Sequence, residues 1–141
     1  LLTMLAVIGC ESGTGDTPPA GSQEETGESF DVDLTKLSST MVYAEVYNMM
    51  TKPEDYMGKT VKMRGTFSVY HDDATGKDYF ACLIADATAC CSQGIEFVLK
   101  GERNYPDDYP KLGSVITVAG TFGTYYEGSY RYCQLINAQL Q

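Results

Sequence analysis

Gly58-Lys59-Thr60-Val61-Lys62-Met63-Arg64-Gly65-Thr66-Phe67 and Gly113-Ser114-Val115-Ile116-Thr117-Val118-Ala119-Gly120-Thr121-Phe122 are two versions of one pattern. Each opens on a glycine, sets an aliphatic residue or methionine at alternate positions, and ends Gly-Thr-Phe. A period of two marks a strand buried on one face. In the first copy Val61, Met63, Gly65, Phe67 and Val69 form the apolar set, and Lys62, Arg64, Thr66 and Ser68 the polar one. Glycine inside a strand is costly unless the chain bends there or another backbone comes close. Gly65 and Gly120 therefore predict two sharply bent strands.

Working outward, residues 79–84, 94–99 and 130–140 read as three further strands. Residues 71–77 carry turn chemistry between the first two, and the Pro/Asp/Tyr run 105–110 is a loop. Before the first strand, Val42, Val46 and Met49 or Met50 recur at helical spacing, with Ser39-Thr40 as the cap and Pro53 as the stop. Residues 53–58 then form a tight helical turn ending on Gly58.

Five strands with repeated Gly-Thr-Phe steps resemble the OB-fold, in particular the anticodon-binding-like OB domains found in bacterial lipoproteins. The resemblance covers residues 41–141. It implies a mainly β protein: a five-stranded OB-like barrel with a short N-terminal helix. One feature departs from the common OB layout, which has a helix between strands three and four, where this chain has the 105–110 loop. A permuted barrel or a two-sheet sandwich would use the same strands. OB barrels bind oligonucleotides, sugars or proteins across strands two and three and the flanking loops, so the resemblance implies a location more than a ligand.

Val7-Ile8-Gly9-Cys10, after an uncharged apolar run, resembles the lipobox of bacterial lipoproteins. A small residue precedes the cut, and the cysteine after it accepts the lipid. The run is far too short to span a bilayer, which takes about 20 residues. From Glu11 to Ser29 the chain is mostly Gly, Ser, Thr, Pro and acid with no aliphatic residue larger than Ala20, a composition that cannot offset its ordering entropy. The expected organisation is a signal-peptide remnant at 1–9, a lipidated Cys10 with a flexible acidic linker over 10–38, and a domain over 39–141. This organisation implies a membrane-anchored, extracytoplasmic protein. Firm anchoring would take more than one acyl chain.

The net charge of -9 is unevenly placed. Residues 11–40 hold seven acids and one lysine, whereas the rest of the chain to residue 141 holds twelve acids and nine bases. The acidity belongs mostly to the linker, and the domain lacks the basic footprint of a nucleic-acid binder. No nucleic acid is expected as a partner.

Four cysteines fall in the domain: Cys82, Cys90, Cys91 and Cys133. In an oxidising compartment an even count reads first as a disulfide framework, Cys82 with one of the adjacent pair and Cys133 with the other. A bond between Cys90 and Cys91 is disfavoured by its strained ring. The alternative is a metal-handling protein, with the four thiolates as ligands to zinc or copper(I). Free buried thiols are the third reading. His71, the sole histidine, is a ligand candidate or an exposed turn residue. No C-x-x-C is present, no basic residue adjoins the pair, and the carboxylates of 72–73 and 107–108 lack calcium-loop spacing. No Ser/His/Asp arrangement or phosphate loop appears, so the expectation is a non-enzymatic protein without a cofactor.

Tyrosines crowd the late loops and the final hairpin. Their stiff rings and polar tips suit recognition surfaces. Lys62, Arg64, Tyr70, Tyr79, Tyr126 and Tyr130 are the candidates for a face that binds a protein, peptide or glycan at the cell envelope.

Overall fold

The computed structural model describes residues 27–86, 88 and 90–141. The expected anchor and most of the expected linker, Cys10 included, lie outside the described residues. The protein is mainly β. Strands β1 (Val32–Asp33), β2 (Thr60–Asp72), β3 (Lys77–Ala85), β4 (Ser92–Leu99), β5 (Val115–Glu127) and β6 (Tyr130–Leu140) form one sheet, with a single α-helix among the described residues, α1 (Ser39–Thr51).

The sheet order is β1-β2-β3-β4-β6-β5, and β5 pairs back to β2, so five strands close a hydrogen-bonded ring. All the ring pairings are antiparallel except β4 with β6. Closure depends on β2 serving two neighbours. Its first half, Thr60 to Thr66, pairs with β5, and its second half, Thr66 to Asp72, pairs with β3. The switch falls beside Gly65. A Cβ there would collide with the Leu83 carbonyl and stand 2.9 Å from the Cys82 sulfur, so only glycine lets the strands cross this closely. In β5, a Cβ on Gly120 would lie 2.9 Å from the Ile136 carbonyl oxygen, at the register shift between Ala119 and Thr121. Both glycines thus sit at the bends that the sequence predicts.

The alternating residues fill the ring. Val61, Met63, Phe67, Ile95, Phe97, Val118, Phe122 and Leu135 are all buried. The loop between β4 and β5 adds aromatic cover: the Tyr109 ring stacks on Phe80 at 4.0 Å and on Phe67 at 6.1 Å, and Tyr105 leans on Phe80 at 5.4 Å. Two of the late tyrosines are therefore packing residues. No helix occupies this loop, as its prolines imply.

Helix α1 packs against β3, β4 and β6 and buries Val46 and Met49. Its cap is Ser38, one residue earlier than the Ser39-Thr40 pair suggests; the Ser38 hydroxyl accepts from the Met41 amide at 3.4 Å. A 3-10 turn, Pro53–Asp55, follows, and Gly58 takes the left-handed φ of 76° that the end of this turn demands. Among the described residues no helix is long and apolar enough to cross a membrane.

Tertiary contacts with the sheet are made by residues before 39, the expected start of the domain. The Asp31 carboxylate accepts from the Thr60 amide at 2.8 Å and its hydroxyl at 2.9 Å, pinning β1 parallel to the start of β2. Asp33 caps a 3-10 turn over Leu34–Lys36, and Leu34, only 1% exposed, enters the core. The polar composition ends near Ser29. Beyond it, Val32 and Leu34 supply enough apolar surface to dock.

Candidate functional site

Side chains alternate across a strand, so the residues between the core positions face outward. On β3, Cys82 and Ile84 point into the ring and Tyr79 points out. On β4, Ile95 and Phe97 point in and Glu96 points out. On β6 and β5, Gln134, Tyr132, Tyr125 and Glu127 likewise fall on the outer side of Leu135 and Phe122. Because the ring places β3, β4, β6 and β5 side by side, these residues converge. Tyr79, Glu96, Tyr125 and Gln134 border an open cleft of about 360 Å³, whose lining also includes Lys77, Val98 and the rings of Phe80, Phe97 and Tyr109.

Two tyrosine–carboxylate pairs order the cleft. Tyr125 donates its hydroxyl to Glu96 at 2.6 Å, and Tyr79 donates to Glu127. Lys77 lies 3.6 Å from Glu127 and 4.8 Å above the Tyr79 ring, and Tyr125 stacks on Tyr132 at 5.4 Å. Burial raises Glu96 above the usual carboxylate range, although the Tyr125 bond opposes the shift. The hydrogen bond to Glu127 and partial burial push Tyr79 up to about 12. Burial, then the Glu96 carboxylate, raises Tyr125. Both phenols thus stay protonated and hold the carboxylates in place. The cleft presents acceptors, one ammonium and flat rings. It suits a ligand with hydrogen-bond donors and an apolar face, and repels phosphates.

The structure divides the sequence candidates. Tyr79 is in the cleft, and Tyr70 is its neighbour at 6.2 Å between ring centres. Tyr130 is on the same side at the hairpin tip, 73% exposed. Tyr126 pairs with Arg131 on the hairpin's other face, where Arg131 bonds Glu54 at 2.5 Å. Lys62 and Arg64 do not border the cleft. They belong to the half of β2 paired with β5: Lys62 lies over Phe30 at 5.4 Å, and Arg64 donates to Thr117 at 3.3 Å. The OB-type face that the resemblance implies groups them with Tyr79; the change of partner of β2 beside Gly65 separates them. Glu96, Glu127 and Lys77 were not among the sequence candidates. Glu96 did carry a signal: a lone carboxylate between two apolar inward positions.

The cysteines do not form a four-sulfur centre. All four are free. Cys82 faces the core, where burial pushes its thiol up to about 12. It pairs with Ile95, three ladder steps from the Ala85–Ser92 pair that follows Cys91. That is roughly 10 Å along the strand, beyond disulfide reach without backbone movement. Cys133, its thiol raised by burial, donates to the Met49 carbonyl at 3.8 Å. Cys90 and Cys91 stay together at the surface, their sulfurs 3.4 Å apart. His71 is not among them: its Nδ1 meets Asp78 at 2.6 Å and its Nε2 lies 3.7 Å from Asp73.

No family model matches the chain, and no curated protein does. Among solved structures, the chain is similar to a Klebsiella pneumoniae subsp. pneumoniae protein described as a putative nucleic acid-binding lipoprotein. The two share 24% identity over 68% of this chain and 81% of that one, with a TM-score of 0.43.

Proposed function

We propose that this protein is a non-enzymatic, lipid-anchored binding module of the bacterial cell envelope. Its ring of strands acts as an OB-like barrel, and the cleft of Tyr79, Glu96 and Tyr125 receives a glycan or peptide segment. The cleft carries the reading. It lies across β3 and β4, the second and third strands of the ring, which is the region OB barrels use. The closed order with one parallel pair supports the OB assignment. The anchor rests on Val7-Ile8-Gly9-Cys10 and the polar run after it. No side chain of the cleft needs to exchange a proton, and the reading requires no cofactor there.

Nucleic acid is the less suitable ligand, because Glu96 in the cleft and Glu127, bonded to Tyr79 beside it, would repel a phosphate backbone. A ligand bearing hydroxyls or amines would instead satisfy these carboxylates while lying on the tyrosine rings.

The chain holds no tryptophan, so ligand titrations can be followed by tyrosine fluorescence. Envelope glycan fragments, basic peptides and single-stranded oligonucleotides form the panel. Binding of a glycan or peptide is expected, weakened roughly tenfold by Glu96→Gln or Tyr79→Phe through the loss of a charge-assisted hydrogen bond. Preference for oligonucleotides, or affinity indifferent to both substitutions, overturns the reading. The anchor is tested in cells: the native protein should carry label from a fatty acid and sediment with membranes, and Cys10→Ser should lose both properties.

A further inference from the structure

The connection from β3 to β4 brings Asp86, Cys90 and Cys91 together, with one ligand atom from each inside 4.8 Å. The Cys90 sulfur lies 3.4 Å from that of Cys91 and 3.5 Å from Asp86 Oδ2. Tetrahedral zinc takes sulfur at about 2.3 Å and carboxylate oxygen at about 2.0 Å, so its edges are roughly 3.8 Å between sulfurs and 3.5 Å between sulfur and oxygen. The two separations fall close to those edges.

The loop holds the carboxylate ready. Asp86 Oδ1 accepts from the Thr88 amide at 3.1 Å, the Thr88 hydroxyl at 3.0 Å and the Cys90 amide at 3.1 Å, which leaves Oδ2 toward the thiol. The Asp86 amide donates to the Cys91 carbonyl at 3.0 Å and closes the turn. Gln93 ties the following strand to α1 by donating to the Tyr43 carbonyl at 2.5 Å. The geometry points to a surface site for one zinc-class divalent cation, held by Asp86 Oδ2 and the two thiolates. The fourth corner is left to water or to a donor from another molecule.

Binding balances as one Zn²⁺ and two thiols giving two zinc–thiolate bonds and two released protons, with the Asp86 carboxylate completing the set. Tyr43 is the other titratable group facing these residues, and burial, then their negative charge, raises its phenol. The set differs from the four-thiolate reading in being open and in excluding Cys82 and Cys133. It is also independent of the Tyr/Glu cleft, so either proposal can fail alone.

The test uses the full reduced chain with Cys10→Ser, which removes the one thiol outside the domain. Titration with Co²⁺ and Zn²⁺ should show one ion per chain, thiolate-to-cobalt charge-transfer absorption, and two protons released per ion near neutral pH. X-ray absorption of the zinc form should give two sulfurs and two light atoms. Cys90→Ser and Cys91→Ser should each abolish the charge-transfer band, and Thr88→Ala, which frees the carboxylate, should cost roughly tenfold in affinity. Cys82→Ala and Cys133→Ser should leave spectrum and stoichiometry unchanged, with circular dichroism confirming that both fold. Failure to bind Zn²⁺ or Co²⁺, or loss of the band in either of the last two variants, overturns the site.

Discussion

Glu96 is a carboxylate half-buried among aromatic rings, bonded to Tyr125 and facing the negative end of Glu127. Its pKa is raised, chiefly by burial, so in the folded state it holds its proton to a higher pH than in the unfolded chain. Folding therefore binds protons here, and stability from this group is greatest below the ordinary carboxylate range and declines as pH rises through the raised folded value. Asp31 works with the opposite sign. The Thr60 amide and hydroxyl lower its pKa, and its contribution is present above the ordinary carboxylate range and lost on acidification. Urea unfolding between pH 4 and 8, roughly the window around ordinary carboxylate values, should find Glu96→Gln less sensitive to rising pH than the native protein. A native-like slope in the variant would show that Glu96 does not titrate as its surroundings require. Glu96 could be placed on an outward position from the alternation of β4, but its partners come from β5. Nothing local in the sequence announces a bond between residues 29 apart.

At the scale of elements, the strands and the helix were legible, because each carries its own period. The first strand was expected over 59–69 and runs from Thr60 to Asp72; the helix was expected over 41–50 and runs from Ser39 to Thr51. The short pieces were not legible. β1 and the Leu34–Lys36 turn have too few residues to show a period, and they form only because Thr60 and the core are there to receive Asp31 and Leu34. Leu34→Ala should accordingly destabilise the whole domain by about 2–5 kcal/mol, the range for truncating a buried leucine. A change below about 0.5 kcal/mol, typical of surface positions, would return this segment to the linker. Denaturant melts with unchanged slope would distinguish the two outcomes.

For the molecule as a whole, the decisive event is closure between β2 and β5, which lets one long strand serve two neighbours. Gly65→Ala should compromise closure more than its single methyl suggests, since the new Cβ meets the Leu83 backbone and the Cys82 sulfur. A loss of about 1–3 kcal/mol is expected from overpacking, read as a lower melting temperature. Gly76→Ala is a useful comparison: its Cβ meets nothing, but its φ of 69° imposes its own turn penalty. Stability of Gly65→Ala equal to the native protein would mean that the strands do not cross as closely as the ring demands.

The five long strands, the helix, the glycine bends and the inward and outward faces of those strands follow from the sequence alone. These are properties of period and of backbone sterics, both of which act over a few residues. The sequence also carried the lipobox-like segment and the polar run behind it. Which outward residues meet is a matter of the fold. It sent Lys62 and Arg64 to one seam and Tyr79 to another, joined Tyr125 to Glu96, and split the cysteines into a surface pair and two separate half-buried or buried thiols. Those outcomes depend on strand order and register, which are fixed by closing the ring over a shared core, a condition that no single stretch of sequence contains.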